Sequence, residues 1–322
     1  MVLKDLSRLV KKLVLRRHNM GKSFKENLDP KKEIFVELKK RGKYPWWENL
    51  KKNKDISIQI RKDNYIDVYY NGGAVLKKLE YNETKKAFTA EIHPNYIPLD
   101  DNDYLPLSLT SDGVKFSKEL TTMNLSQFEE KELKFVINRI GKYHNQKSEK
   151  AIQFNFIAYD PYIIDAEFQL PGEKIRIDLV RLDKSVNKIV LIEVKRMEDP
   201  RLFADSKEKT QSKKENIYDQ LKKYHKFAVD YDNILDYYKK VLQVKKYLGL
   251  LRPELENLSI NNWQIECKPL LVFGDCKPDW IEANKESIKE KIKDVAYGAY
   301  YFEKPESTLE LKPKSKRRRY FF

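Results

Sequence analysis

Three residues have the types and spacing that suit hard-cation chemistry: Asp178, Glu193 and Lys195. The run Ile189-Val190-Leu191-Ile192-Glu193-Val194-Lys195 begins with four apolar residues, the pattern of a central strand covered on both faces. Alternation along a strand then places Glu193 and Lys195 on one face. A carboxylate and an ammonium at the end of a core strand are costly to bury unless they are paired or hold a metal. The preceding segment, Lys174–Leu182, repeats the anomaly: Ile175, Ile177 and Leu179 take one face, while Asp178 sits on the other with Val180 and Leu182. Paired as a hairpin, the two segments bring Asp178 beside Glu193. Two carboxylates there make an oxygen site for Mg²⁺, with Mn²⁺ as a substitute and the carbonyl of Val194 as a further ligand. Phosphodiester hydrolysis uses such a cation to polarise the phosphate and to generate hydroxide from water. Lys195 is placed to orient that water or to offset transition-state charge.

The elements that must position these residues follow from periodicity and turn chemistry. A helix capped by Asn124 or Ser126 is expected to run through Glu132 and Ile140 to about Tyr143. Strands follow at Tyr162–Leu170, Lys174–Leu182 and Lys188–Arg196, then helices over Lys207–Val229 and Ile234–Leu250. Gln264–Phe273 reads as a strand and Lys285–Tyr301 as a final helix. Upstream, Ile56, Ile58 and Ile60, then Ile66, Val68 and Tyr70, alternate with polar residues between turn signals such as Asn71-Gly72-Gly73. That pattern predicts an antiparallel meander of about four strands from Asp55 to Ile97. The expected organisation is an N-terminal module over 1–100 with a basic first helix, a linker over 101–124, a chemistry-bearing domain over 125–301 and a basic tail over 302–322.

This arrangement resembles the PD-(D/E)XK nuclease superfamily, whose pattern is an Asp on the second core strand and Glu-x-Lys on the third. Asp178, Glu193 and Lys195 take those positions, and the order of elements over roughly residues 125–280 resembles that superfamily's αβββαβ core. Ile177 stands where the pattern has Pro. Gln220-Leu221-Lys222-Lys223-Tyr224 has the Gln-xxx-Tyr form of RecB-like branches, at i and i+4 on one helical face. The resemblance implies that Gln220 and Tyr224 touch the DNA backbone or support the metal site; as a plain residue pattern, Tyr224 is part of an apolar stripe. It also implies a Glu on the first core helix, for which Glu132 is the candidate, with Glu129 and Glu149 as rivals. The fold class expected is α/β, a restriction-endonuclease-like core preceded by the meander. The activity expected is Mg²⁺-dependent hydrolysis of DNA, in a restriction or phage-defence setting suggested by the family alone. A catalytically inactive binding or assembly protein and an RNA-processing nuclease stay open as alternatives.

A bare Glu-x-Lys is weak evidence, and the chain carries a second copy at Glu37-Leu38-Lys39. No Asp-bearing strand precedes it, so a solvated helix or strand end is expected there. Asp199-Pro200-Arg201-Leu202 follows the lysine strand directly; its Arg201 is within reach of a phosphate or organises the loop with Asp199.

Composition sets the outer bounds. The 322 residues include 41% hydrophobic and 35% charged side chains, as in a globular domain. No apolar run approaches the roughly 20 residues of a membrane span, and no signal-peptide pattern is present, which points to a cytoplasmic protein without a membrane partner. The net charge of +15 favours a polyanion, DNA before RNA, although a lysine-rich composition has the same effect on charge. The four histidines lack metal-ligand spacing, and Cys267 and Cys276 match no zinc or redox pattern. A homo-oligomer is left open.

Overall fold

The computed structural model describes residues 25–93, 96, 105–110, 113–116, 136–141, 148–169, 176–197, 199–203, 216–231, 233–274, 277–301 and 319–320. The basic N-terminal helix expected over the first residues, Glu132 and Glu129 lie outside them.

Two short helices, α1 (Glu33–Lys39) and α2 (Pro45–Lys52), precede the first sheet. Pro45 opens α2 at the position where a missing N–H costs nothing. The period-two segments then form β1 (Ile56–Ile60), β2 (Ile66–Tyr70), β3 (Gly73–Asn82) and β4 (Ala87–Ile92) as an antiparallel meander. Two more strands, β5 (Leu105–Thr110) and β6 (Gly113–Phe116), extend the same sheet in the stretch expected to be a linker. Leu105, Leu107 and Leu109 alternate as a strand should, but Pro106 and the flanking Asp residues masked the signal.

Residues 136–141 are helical, and helix α3 (Glu149–Tyr159) follows, capped by the Ser148 side chain, which accepts from the Ala151 N–H at 3.1 Å. Strands β7 (Ile163–Gln169), β8 (Arg176–Asp183) and β9 (Lys188–Arg196) form an antiparallel ladder. A single 3₁₀ turn at Pro200–Leu202 leads away from β9. Helices α4 (Ile217–Asp230) and α5 (Ile234–Leu248) come next, α4 capped by Asn216 and α5 ended by Gly249 in the left-handed conformation. The strand expected over Gln264–Phe273 is split into β10 (Gln264–Ile265) and β11 (Leu270–Gly274), both parallel to β9. Pro269 stands between them, and its missing N–H cannot join the ladder. The last helix, α6 (Pro278–Ile292), starts and ends earlier than periodicity suggested, and Gly298–Tyr301 forms a strand, β12, parallel to β11. Helix α6 cannot run on past Ile292 without carrying Gly298 and three β-favouring residues with it. Arg319–Tyr320, in the expected tail, pairs with β12 as β13.

The protein is therefore α/β, with an antiparallel sheet β1-β2-β3-β4-β5-β6 and a mixed sheet β13-β12-β11-β9-β8-β7 with β10 beside β9. One apolar core runs through both: Ile60, Val68 and Leu76 of the first sheet join Ile164, Val180, Leu191 and the α5 residues Tyr237, Tyr238 and Val241. A buried polar set also crosses the junction. Arg61 donates to Asp67 (3.0 Å), to Asp165 of β7 (2.9 Å) and to the Ala166 carbonyl (2.9 Å). Lys245 of α5 donates to the Ile164 carbonyl at 2.6 Å. Such groups are tolerated in a core because each finds a partner. Among the described residues no helix is long and apolar enough to cross a membrane.

Candidate active site

The apolar faces of β9 explain how the charged residues are held. Val190, Ile192 and Val194 pack on Ile152 and Phe156 of α3, and a Cβ on Gly274 would collide with Ile152 where β11 ends. Ile189 and Leu191 face the opposite way, toward Tyr224 and Phe227 of α4. Glu193 and Lys195 continue that second face, so the row changes from apolar to charged between Leu191 and Glu193. The β8–β9 register pairs Leu179 with Ile192 and Val180 with Leu191. One step further sets Asp178 opposite Glu193. Asp178, Glu193 and Lys195 are nearly closed to solvent, at 3%, 3% and 1% exposure.

Each buried charge is tied to a named partner. Lys195 Nζ donates to the Glu193 carboxylate and, at 3.1 Å, to the Val194 carbonyl. The Asp178 carboxylate accepts from the Val194 N–H at 2.9 Å, which locks β8 to β9 at the site. Tyr224 lies under the pair, fully enclosed: its hydroxyl accepts from the Asp178 N–H (3.1 Å) and donates to the Arg176 carbonyl (2.5 Å). Its ring belongs to the apolar stripe while its hydroxyl ties α4 to the Asp178 strand. Of the three acids considered for the first helix, Glu149 is the one among the described residues: it lies in the first turn of α3, 3.4 Å from Lys195 Nζ and 3.1 Å from Arg201 Nη2.

A cavity of about 360 Å³ opens over this cluster, lined by Asp178, Glu193, Lys195 and Glu149 and also by Arg176, Arg201, Gln169 and Gln220. Gln220 and Tyr224 occupy successive turns of α4 beneath it. The Gln220 Oε1 atom is buried without a hydrogen-bond partner among the described residues, an arrangement that costs free energy in a closed protein. Arg176 and Gln169 are cavity residues that motif reasoning missed. Their signal was present: Arg176 shares a strand face with Asp178, and the β7–β8 register pairs it with Gln169. Comparison with protein-family models, curated proteins and solved structures found no match.

Burial, and then the neighbouring charge of Glu193, push the Asp178 carboxyl well above the ordinary carboxylate range, with Lys195 acting against both. Burial alone would lower Lys195, but Glu193 and Asp178 outweigh it and raise the ammonium to about 12. Lys195 is thus protonated at neutral pH and acts as a charge, not as a base. Burial, followed by Glu193 and Asp178, pushes the Tyr224 hydroxyl up, keeping it neutral.

The donor set suits a hard divalent cation. Among the described residues no group of three His, Cys, Asp or Glu stands at metal-binding separation. A cation here would take two carboxylates, Asp178 and Glu193, with the Val194 carbonyl and water, the ligand set Mg²⁺ commonly accepts. The raised Asp178 is what such a cation would relieve.

Proposed function

We propose that the chain is a divalent-metal-dependent nuclease that hydrolyses phosphodiester bonds, with DNA as the substrate, at the Asp178–Glu193–Lys195 cluster. The observation that carries this reading is the pair of enclosed carboxylates on adjacent core strands, opening into a polar cavity and leaving Asp178 hard to ionise. Buried charge arranged against stability in a cleft is a mark of a functional site. The absent partner would be Mg²⁺ or Mn²⁺, held by Asp178, Glu193 and the Val194 carbonyl, and when bound it polarises the phosphate and acidifies water.

The chain's own residues supply the rest. Lys195 offers a fixed positive charge to the phosphoryl oxygens as charge builds in the transition state. Tyr224 holds the Asp178 backbone, so the carboxylate stays aimed between the strands. Gln220 lines the same cavity from α4. Arg176 and Arg201 line the same space and complement a polyanion.

One observation favours a second reading. Lys195 Nζ lies on both Glu193 and the Val194 carbonyl, where a metal would otherwise be held. An ammonium in that place describes a structural ion cluster, and the protein would then bind nucleic acid without cutting it. The test is incubation with single- and double-stranded DNA and with RNA, in Mg²⁺, Mn²⁺ or EDTA, for wild type and Lys195→Ala. Cleavage that needs the metal and falls with Lys195→Ala is expected. Binding without cleavage under every condition would favour the second reading.

A further inference from the structure

The short turn after β9 carries Arg201, which lines the cavity, and the aromatic Phe203 two residues further on. Asp199 caps it: its carboxylate accepts from the Arg201 N–H at 2.9 Å and from Arg201 Nε at 2.8 Å. The Arg201 guanidinium is further fixed by Nη2, which donates to Asp199 and to Glu149. Nη1 is left without an acceptor among the described residues, on a side chain that lines the cavity. With Nε and Nη2 committed to two carboxylates, the guanidinium is held in place and Nη1 is left to meet a single anionic oxygen.

Phe203 closes the same turn, its N–H donating to the Pro200 carbonyl at 3.2 Å. Leu202 between them is 1% exposed and pins the turn to the core, yet Phe203 is left 45% exposed. Phe203 does not stand alone. Its ring meets that of the half-buried Trp280 edge-to-face, with centroids 6.1 Å apart, and Trp280 in turn packs on Phe273. Phe273 pairs with Lys195 across the β9–β11 ladder, so this aromatic row starts at the catalytic strand and ends in solvent. Inside a duplex the base faces are covered by their neighbours. An open aromatic face can be used only by a base that has left the stack.

We propose that the Asp199–Phe203 turn anchors one nucleotide beside the cavity: Arg201 holds a backbone phosphate, and Phe203, braced by Trp280, stacks an unpaired base. The substrate class is then a nucleic-acid strand that is single-stranded or frayed next to the bond attacked. This rests on the nuclease reading above and adds the strand state of the substrate to it.

The experiment measures binding of a fluorescein-labelled single-stranded oligonucleotide and of its blunt duplex by anisotropy. The full chain carries Glu193→Gln to prevent turnover, and Phe203→Ala, Phe203→Tyr or Arg201→Gln is added. The single strand should bind tighter than the duplex. Phe203→Ala should weaken single-strand binding about tenfold or more, with little effect on the duplex, and Phe203→Tyr should restore it. Arg201→Gln should weaken both ligands and reduce the salt dependence by about one phosphate contact. Unchanged melting of Phe203→Ala checks that the fold is intact. Equal binding of the two ligands, or an unaltered single-strand affinity in Phe203→Ala, would overturn the proposal. In a parallel cleavage assay with Glu193 intact, metal-dependent cutting of a blunt duplex at a rate indifferent to Phe203→Ala would remove this inference and leave the nuclease reading standing. No nucleic-acid binding by any form would remove both.

Discussion

The chain contains Glu-x-Lys twice, and the two copies have opposite surroundings. Glu37 and Lys39 lie in helix α1, where positions two apart point in different directions. Glu37 is only 4% exposed, not solvated as expected, and its carboxylate accepts from Lys40, from Lys43 at 2.7 Å and from the Tyr44 hydroxyl at 2.9 Å. Burial alone would raise it, but these three donors outweigh burial and lower its pKa to about 2. Lys39 has no part in this and sits 5.3 Å over the exposed Tyr247 ring. Glu193 and Lys195 lie in a strand, share one face, and crowd a second carboxylate, Asp178, which burial and Glu193 hold above the ordinary range. The first copy is a satisfied structural anion. In the second, charge is assembled at a cost to stability, and the shared Glu-x-Lys pattern separates into the two outcomes through helix or strand geometry and the neighbours each brings.

Substitutions at the two copies sharpen the contrast. The largest expected effect is on chemistry: Lys195→Ala should slow metal-dependent cleavage about 100- to 1000-fold, with substrate binding largely kept, checked by single-turnover rates against binding isotherms. Next is Glu37→Gln, which should destabilise the fold by about 2 kcal/mol in chemical denaturation, since it weakens hydrogen bonds made to a charged group. That stabilisation belongs to an acid with a depressed folded pKa. It should be fully present above the unfolded value of 4.5 and fade as pH falls toward about 2, so wild type and Glu37→Gln should converge in acid. Smaller and opposite in sign is Asp178→Asn, which removes a charge the fold disfavours while its amide oxygen can still accept from Val194. It should raise stability at neutral pH by about 1 kcal/mol while lowering activity. If Asp178→Asn instead melts earlier than wild type, the two copies are energetically alike and the contrast fails.

The parts of this comparison that sequence made legible are those governed by short-range rules. An apolar strand that turns charged on one face is visible in Ile189 to Lys195, because alternation fixes each side chain's direction. Helix α3, which brings Glu149 to the cavity, was not legible, since Ala151, Ile152, Phe154 and Phe156 give it no clean stripe and bury it on several sides. Strand β12 was read as helix because Gly298 and its tyrosines pair with β11 and β13, partners distant in sequence. The bond from Arg61 to Asp165 joins residues 104 apart, and no local pattern announces it.

Cleavage by Glu193→Gln and Glu37→Gln, measured side by side on one DNA substrate in Mg²⁺, tests the central claim most directly. The account predicts that Glu193→Gln loses cutting while remaining folded, and that Glu37→Gln, assayed below its lowered melting temperature, cuts as wild type does. Metal-dependent cutting that survives in Glu193→Gln would contradict it.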